Sequence, residues 1–356
     1  MTVAHLNRIA TAVPDHDVHN SFIEYAARSL ENETARKLFH RMARKAEIRH
    51  RFSCLQAVTT AEGFWVDAGP FYLRGNFPDT AWRMKKFEQL APPLAHRTLE
   101  RLALSADELR RISHVVVTTC TGLYAPGLDF EIVDHLGLNP AVERTMIGFM
   151  GCYAAINALK FARHVVRSQP DACVLVLNLE LCTLHLQETQ DLEQMLSFLI
   201  FGDGCSASLV SAQPSGFALD NFHAVQIPGT RELITWKIGG LGFDMLLSGQ
   251  VPGVINRSLK SKKREITGGQ AATAIDLWAV HPGGRSILDA VEQGLSLAPE
   301  NLAASRSVLR QFGNMSSATV MFVLQQLLAN ARAGQSGCAM SFGPGLTAET
   351  LLFHAV

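Results

Sequence analysis

Short apolar runs rich in β-branched residues alternate along this chain with longer stretches of helical periodicity. In the N-terminal half, the runs that predict buried strands are 114–120, 144–148, 173–178 and 207–210, and the stretches that predict helices are 129–136, 152–167 and 192–201. Within 152–167, the polar residues Lys160, Arg163, His164 and Arg167 recur at helical spacing and share one face. The alternation predicts helices layered on sheets, which is the α/β class.

The C-terminal half repeats this scheme. Its predicted strands are 275–280, 337–342 and 349–354, and its predicted helices are 286–293, 302–310 and 317–331. Phe-Gly-x-Gly turns at 201–204 and 342–345 each lead into a strand, which indicates an internal duplication, although such turns are common. The stretch 212–269 is less regular and breaks at Pro214-Ser215-Gly216. We therefore divide the chain into halves 1–213 and 214–356.

Length and charge exclude some classes of function. At 356 residues the chain is long enough for two domains or one large two-halved unit. Lys and Arg together number 32, as do Asp and Glu, so the net charge is zero with His neutral. No global field attracts nucleic acid or an acidic membrane. An anionic ligand must therefore be held by local contacts.

Cysteine usage indicates the compartment. The seven cysteines show no CxxC or paired spacing, and their odd number argues against a complete disulfide framework. The N-terminus lacks a basic region followed by an apolar block, and no stretch approaches the roughly 18 apolar residues that cross a bilayer. We expect a cytoplasmic protein without membrane insertion. No metal-site spacing, P-loop or GxGxxG motif is present, so we expect neither a metal nor a nucleotide cofactor.

Cys152 lies between a strand-like run and a helical stretch. A free cysteine has a pKa of about 8.5, and a helix N-terminus or a nearby imidazolium lowers it toward the nucleophilic thiolate. A buried, inert cysteine is the more common case. Gly151 favours a catalytic role for Cys152, because a glycine lets the chain turn sharply beneath a nucleophile.

His281 and Asn314 occur in similar strand-to-turn settings. His281 ends a predicted strand, where α/β proteins place ligands, and the following Gly283 and Gly284 allow close approach of a ligand backbone. A structural role for this histidine stays open, since the chain has 13 histidines. Asn314 precedes a predicted helix and could simply cap it. Alternatively, its amide and the imidazole N–H would form an oxyanion hole. With Cys152, they predict a Cys-His-Asn acyl-transfer site.

The segments GCYAA (151–155), HPGG (281–284) and GNMSSA (313–318), in this order, resemble the type III polyketide synthases, the chalcone-synthase-like branch of the thiolase superfamily. Further blocks match at 199–204, 249–253 and 342–350, so the resemblance covers nearly the whole chain. It implies a homodimer with a thiolase-like, five-layered αβαβα fold built from two duplicated halves.

The resemblance also implies roles for the triad. Cys152 would take the starter acyl group and hold the growing chain. His281 and Asn314 would bind the thioester oxygen and assist decarboxylation of malonyl-CoA. His281 would also form an ion pair with Cys152 that keeps the thiolate populated.

Residues around the triad are similarly implied. Phe201 and Phe243 match gatekeepers between a coenzyme A tunnel and the cavity, with core packing as the alternative. In the cavity Ser316 matches the plant pattern, whereas Cys120, Cys182 and His185 replace threonines, which argues against an aromatic phenylpropanoid starter. The implied coenzyme A-binding residues are Arg41, Lys45, Gly283 and Gly284. Lys37 is one residue from the expected lysine, and a solvated helix face is the alternative for this basic cluster.

The resemblance implies an acyltransferase of bacterial type. It would load an acyl-CoA starter on Cys152 and extend it with malonyl-CoA by decarboxylative Claisen condensation. The chain would then cyclise to a pyrone, resorcinol or phloroglucinol type product. Coenzyme A thioesters are substrates, and no cofactor is implied. One alternative is a ketoacyl-acyl-carrier-protein synthase that initiates fatty acid synthesis, although its His and Asn signatures differ. A non-catalytic thiolase-like subunit is another, and the retained Cys, His and Asn argue against it.

Overall fold

The computed structural model of the protein describes residues 2–59, 65–67 and 71–356. The strands are β1 His5–Ala12, β2 His16–Asp17, β3 Phe52–Ser53, β4 Ala57–Thr59, β5 Trp65–Asp67, β6 Ile112–Thr119, β7 Glu143–Gly148, β8 Cys173–Leu181, β9 Asp203–Ser211, β10 Phe217–Gln226, β11 Ile234–Gly239, β12 Gly242–Leu247, β13 Leu277–Val280, β14 Ser336–Gly343 and β15 Thr347–Ala355. The helices are α1 His19–Ser29, α2 Glu33–Lys45, α3 Thr80–Leu102, α4 Ala106–Arg111, α5 Leu128–Leu136, α6 Ala154–Ser168, α7 Leu192–Ile200, α8 Val251–Ser261, α9 Lys263–Ile266, α10 Arg285–Leu295, α11 Ala303–Phe312 and α12 Thr319–Leu328.

Within these described residues, nine strands form one sheet in the order β13-β14-β15-β10-β1-β9-β8-β6-β7. In the N-terminal half, β6 runs parallel to β7 and β8, and β9 runs antiparallel between β8 and β1. In the C-terminal half, β13 runs parallel to β14, and β15 runs antiparallel between β14 and β10. The halves join where β1 pairs with β10 through His5 and Leu6. Their matching arrangements support the predicted duplication.

The helices α6 and α12 form the central layer. Leu159 of α6 and Val323 of α12 share one core cluster with Val116 of the N-terminal strands and Leu351 of the C-terminal strands. The strand residues next to these point to the outer face of the sheet, away from α6 and α12. There, one cluster joins the N-terminal strands to α1, α3 and α5, and another joins the C-terminal strands to α8, α10 and α11. The five-layered αβαβα fold is therefore confirmed.

The stretch 212–269 is more regular than its sequence indicates. It contains β10, the hairpin of β11 and β12, and α8. The hairpin strands are short, and α8 begins at the Val-Pro pair 251–252, where proline fits the first helical turn. The division proposed at 213/214 falls in the loop between β9 and β10. This hairpin matters for the site, because one of its faces lines the cavity.

Candidate active site

The N-termini of the two central helices meet at one end of the central layer. Cys152 lies in the 3-10 turn Gly151–Tyr153 that leads into α6, and Ser316 lies in the 3-10 turn Ser316–Ala318 that leads into α12. Cys152 Sγ and Ser316 Oγ are 3.8 Å apart. Because β13 ends at Val280, His281 enters the same space, and one pocket is lined by Cys152, His281 and Asn314. The structure thus brings the predicted triad together.

Gly151 makes the turn under Cys152 possible. Its φ is +74°, in the left-handed region that glycine adopts without steric cost. A Cβ at this position would lie 2.3 Å from Cδ of Pro344. Both the backbone conformation and the close approach of Pro344 therefore require glycine before the nucleophile.

Asn314 takes the capping role that its sequence left open, and its amide also faces Cys152. Its Oδ1 accepts a hydrogen bond from the Ser316 N–H at 2.8 Å, which caps the turn before α12. Its amide group donates to Cys152, and Nδ2 also lies 3.3 Å from the Gly283 carbonyl oxygen. The capping bond fixes the side chain so that the amide hydrogens face the thiol.

His281 is buried, and both of its ring nitrogens lack a hydrogen-bond partner within the described part of the chain. Burial lowers the pKa of this imidazole to about 3, because the protein interior disfavours its charged form. Buried polar groups are usually paired. An unpartnered imidazole beside a thiol is therefore suited to meet a ligand.

The expected ion pair between Cys152 and His281 is not found. Burial raises the pKa of the Cys152 thiol to about 12, while hydrogen bonds from Ser316 and Asn314 lower it by less. No hydrogen bond joins Cys152 to His281 in the described residues. Burial therefore argues against a thiolate–imidazolium pair, because charge on either group is costly away from water, and the pair stays a prediction.

Three connected spaces surround the triad. An outer groove of about 880 Å³ includes Lys45, Gly283 and Gly284 among its lining residues. A junction holds the triad together with Phe201 and Met245. An inner cavity of about 40 Å³ lies beyond, and its lining includes the predicted cavity residues Cys120, Cys182, His185 and Ser316. A wide approach thus leads past the thiol to a narrow end.

The inner wall is held by hydrogen bonds. Cys120 Sγ accepts from the Gly151 N–H at 3.0 Å. His185 Nε2 donates to the Thr121 carbonyl oxygen at 2.7 Å, and its Nδ1 accepts from the Phe243 N–H at 3.1 Å. These partners assign a neutral imidazole, and burial lowers its pKa to about 3. His185 therefore shapes the wall, since both of its nitrogens are occupied.

Of the two predicted gatekeepers, Phe201 lines both the junction and the inner cavity, whereas Phe243 lines none of the three spaces. The Phe243 ring is buried and stacks on His185 with 4.2 Å between ring centroids. Met245, two residues farther along β12, lies at the junction and pairs across the hairpin with Trp236. The gatekeeper prediction for Phe243 is corrected to Met245, because Phe243 sits nearer the hairpin turn and packs behind the wall.

Glu180 is a further site residue that sequence reasoning missed. Its Oε2 accepts from the Cys120 N–H and from Thr121 Oγ1, each at 2.9 Å, and its Oε1 accepts from Ser317 Oγ at 2.5 Å. Burial raises the pKa of this carboxyl to about 7, although these hydrogen bonds oppose the rise. A lone acidic residue at the end of the apolar run 173–181 was the available signal.

The predicted coenzyme A-binding residues do not all lie at the outer groove. Lys45, Gly283 and Gly284 line the outer groove, whereas the exposed Arg41 is not among its lining residues. Lys37, next to the expected basic position, pairs with Glu33 at 2.7 Å. Lys45 is therefore the cation of the predicted pair that faces the groove.

The described residues contain neither a metal-binding cluster nor a membrane-spanning helix. No three His, Cys, Asp or Glu side chains are grouped so that they could hold a metal ion. No helix in this part of the chain is long and apolar enough to cross a membrane.

Comparisons with known proteins agree with the fold. Models of the N-terminal and C-terminal domains of chalcone and stilbene synthases match residues 83–214 and 219–356. An alpha-pyrone synthesis polyketide synthase-like protein of Mycobacterium tuberculosis is 35% identical over 290 residues, covering 77% of this chain and 73% of that protein.

Solved structures give the same result. PKS-I of the brown alga Ectocarpus siliculosus has a TM-score of 0.87 and 29% identity, covering 100% of this chain and 99% of that one. A type III polyketide synthase of Streptomyces coelicolor A3(2), 1,3,6,8-tetrahydroxynaphthalene synthase, has a TM-score of 0.85 and 25% identity over 100% and 99% of the two chains.

Fold and site together define an acyl-transferring enzyme of the thiolase-like class. Within that class, the chain belongs to the chalcone and stilbene synthase family and is a type III polyketide synthase.

Proposed function

We propose that Cys152, His281 and Asn314 carry out the polyketide synthase reaction on coenzyme A thioesters. The observation that supports this most is the buried His281 imidazole, unpartnered within the described residues, beside Cys152 and Asn314 where the outer groove narrows. A thioester entering from the groove would place its carbonyl among these three groups. No metal or other cofactor takes part in the proposal.

Loading of the starter comes first. His281, neutral because burial lowers its pKa, accepts the proton of the Cys152 thiol. The sulfur attacks the carbonyl carbon of the acyl-CoA starter, and the oxygen becomes negatively charged beside the Asn314 amide. The carbon–sulfur bond to coenzyme A then breaks, and the departing thiolate takes the proton from His281. The starter remains on Cys152 as a thioester.

Extension consumes malonyl-CoA from the same groove. Loss of CO2 leaves an enolate whose oxygen accepts hydrogen bonds from Asn314 and His281. The enolate carbon attacks the Cys152 thioester, the bond to sulfur breaks, and the lengthened chain is carried on coenzyme A. Transfer back to Cys152 allows another round. Lys45 at the groove supplies positive charge for the phosphates of coenzyme A, with Arg41 on the same helix.

The narrow inner cavity favours few extensions and closure to a pyrone. Trp236 and His185 occupy its wall, and only about 40 Å³ lies between them and the thiol. A relative is named for alpha-pyrone synthesis, and it shares 35% identity with this chain. A resorcinol ring needs a longer chain than a pyrone, folded within the same space.

The active form that we propose is a cytoplasmic homodimer. In the described residues β7 is an edge of the nine-stranded sheet, so its outer side is free to pair with a second copy. Met146 of β7 and the nearby Leu123 and Phe130 are exposed, each by at least 40%. The two family-model matches meet between 214 and 219, which supports the division into halves 1–213 and 214–356.

The three cavity cysteines provide a direct test of the nucleophile. Cys120, Cys152 and Cys182 line the same inner cavity, so each can be changed to alanine in turn. Intact-protein mass spectrometry after addition of an acyl-CoA starter should show a single acyl adduct in the wild type, in Cys120→Ala and in Cys182→Ala. Cys152→Ala should show neither adduct nor turnover. Polyketide formation by Cys152→Ala would contradict the mechanism.

A further inference from the structure

Arg51 is a buried arginine outside the triad. It is 2% exposed, and it directly precedes β3. Its Nη1 donates to the carbonyl oxygens of Phe198 at 3.0 Å and Phe201 at 2.5 Å. Its Nε donates to Nδ1 of His19 at 3.1 Å. The guanidinium therefore contacts backbone atoms on both sides of the end of α7.

These carbonyls need a donor. α7 ends at Ile200, and carbonyl groups in the last turn of a helix have no N–H partner within the helix. A cation at this end also interacts favourably with the helix dipole. Arg51 thus fixes the path by which the chain leaves α7 and enters Phe201, the residue that lines both the junction and the inner cavity.

The same short segment holds Asn314. Phe201 and Asn314 form an isolated parallel β-bridge. The Asn314 N–H donates to the Ile200 carbonyl oxygen at 2.8 Å, and the Asn314 carbonyl oxygen accepts from the Gly202 N–H at 2.9 Å. Both backbone groups of the proposed oxyanion-binding residue are therefore held by the neighbours of Phe201.

Arg51 also packs against the other side of this bridge. Gly313 precedes Asn314, and a Cβ at Gly313 would lie 2.9 Å from Cγ of Arg51 and 2.8 Å from the Ile200 carbonyl oxygen. The aliphatic part of Arg51 thus lies close against the Asn314 segment while its guanidinium binds the Phe201 segment. One side chain thus contacts Phe201 on one side of the bridge and the residue before Asn314 on the other.

The buried charge is not balanced by a direct ion pair. No carboxylate lies within ion-pair distance of the Arg51 guanidinium in the described residues, and Asp17 and Asp203 act on it only from farther away. Burial lowers the pKa of Arg51 to about 10, which still leaves it charged near neutral pH. Burying a charge without a paired partner costs free energy. The carbonyl contacts offset that cost.

We propose that Arg51 is a positioning residue that holds Phe201 and Asn314 in register, so that one buried cation sets both the access to the cavity and the oxyanion hole. The proposal rests on the roles proposed above for Phe201 and Asn314. Cys152 is held by a different segment, since the turn beneath it packs against Pro344. A change at Arg51 should therefore alter extension and starter selectivity but spare the thiol.

The test compares Arg51→Met and Arg51→Lys with Arg83→Met. Arg83 is an equally buried arginine whose Nε donates to the Pro78 carbonyl oxygen at 3.0 Å, and its Nη1 donates to the Leu184 carbonyl oxygen. Its described contacts include neither Phe201 nor Asn314. Arg83→Met therefore reports the general effect of losing a buried arginine.

The measurements are kcat and KM for a short-chain and a long-chain acyl-CoA starter with malonyl-CoA, and the rate of Cys152 alkylation by iodoacetamide. For Arg51→Met we expect kcat to fall by about 10- to 100-fold, since misplacement by about 1 Å can cost this much. The ratio of kcat/KM between the two starters should change, while alkylation stays within about 3-fold of wild type. Arg51→Lys should be intermediate, and Arg83→Met should keep the wild-type ratio.

Rates are expressed per alkylatable Cys152. The proposal is overturned if Arg51→Met then has the wild-type kcat and the wild-type ratio of kcat/KM between the two starters. An equal change of the ratio in Arg83→Met would also overturn it. If Arg51→Met does not fold, Arg51→Lys decides, because lysine keeps the charge but lacks the planar guanidinium whose Nε–H donates to His19 while Nη1 donates to the two carbonyls. A wild-type enzyme without polyketide product would instead refute the proposed function, so the two failures are distinguishable.

Discussion

Cys152 is surrounded by groups that stabilise a thiolate: the Ser316 hydroxyl, the Asn314 amide and its own backbone N–H at the start of a helix. Burial outweighs all three and raises the pKa of the thiol to about 12. Burial also keeps His281 neutral. At the scale of the residue, burial thus favours a neutral thiol beside a neutral imidazole, and in the mechanism that we propose the thiol is activated when a thioester enters.

The first prediction concerns the pH dependence of Cys152. Because the pKa is raised, the thiolate fraction should keep increasing as the pH rises from about 6 to about 10. Alkylation of wild type by iodoacetamide, followed by mass spectrometry, should rise across that range without a plateau. His281→Ala should give the same profile. A plateau already present near pH 6, lost in His281→Ala, would contradict the neutral pair and restore the ion pair.

The second prediction concerns the Glu180 carboxyl. Its pKa is about 7 in the folded protein against an ordinary value of 4.5, so the unfolded chain loses this proton first as the pH rises. Its contribution to stability is therefore full below about pH 4.5 and is lost as the pH rises to about 7, by on the order of 3 kcal/mol.

Glu180→Gln removes this titration. The glutamine oxygen can accept from the Cys120 N–H and Thr121, and the Ser317 hydroxyl can reorient to accept from the amide. Urea unfolding of both proteins between about pH 5 and pH 8 should show wild type losing stability relative to Glu180→Gln as the pH rises. A constant difference across that range would contradict the raised pKa.

At the scale of the element, the 3-10 turn before α6 carries the nucleophile on a backbone that only glycine fits. Gly151 and Gly345 both adopt left-handed φ, of +74° and +70°, but only Gly151 has a neighbour where a Cβ would be. Nothing lies within 4 Å of a Cβ at Gly345. A substitution at Gly345 therefore measures the cost of the left-handed backbone alone, whereas a substitution at Gly151 adds the cost of a steric clash.

The third prediction follows from that difference. Gly345→Ala should cost about 1–2 kcal/mol of unfolding free energy for the left-handed conformation alone. Gly151→Ala should cost a further 1–3 kcal/mol or so, because its Cβ meets Pro344, and it should also reduce kcat by displacing Cys152. Denaturant unfolding and steady-state kinetics check both effects. Equal losses in the two variants would refute the steric argument.

The hairpin of β11 and β12 limits the inner cavity. Trp236 lies in its wall, and its Nε1 donates to the Cys120 carbonyl oxygen at 2.7 Å. The fourth prediction is that Trp236→Ala enlarges the cavity and shifts the product toward higher mass, by one or more C2H2O units from extra extensions. Trp82→Ala, at a tryptophan that is 58% exposed, is the matched control. Identical product masses in all three proteins would show that Trp236 does not set chain length.

At the scale of the whole molecule, the sequence predicted the fold class and three residues that the structure brings into one pocket. Motifs such as Gly151-Cys152 and His281-Pro282 are local, and the α/β periodicity is carried by each element separately. Contacts between segments that are distant in the sequence could not be predicted from it. The replacement of Phe243 by Met245 at the junction, the Glu180 hydrogen bonds and the reach of Arg51 to Phe201 depend on tertiary packing. The pKa values of the triad depend on burial, which no motif records.

The fifth prediction concerns assembly. If β7 pairs with a second copy, Leu123→Asp combined with Met146→Asp places charges in the interface and should convert the dimer to a monomer. Light scattering coupled to gel filtration measures the mass. Ile238→Asp, at an apolar residue that is 61% exposed on the hairpin, should leave the dimer intact. A wild type with the mass of one chain would contradict the homodimer.

The central claim is carrier-free polyketide extension on Cys152, and one assay tests it most directly. Purified wild type and Cys152→Ala are incubated with an acyl-CoA starter and malonyl-CoA, without acyl carrier protein, and the products are identified by mass spectrometry. We expect wild type to release CO2 and a polyketide longer than the starter, and Cys152→Ala to release no polyketide. Activity that requires added carrier protein would instead indicate a ketoacyl-acyl-carrier-protein synthase, and polyketide formation by Cys152→Ala would contradict the account.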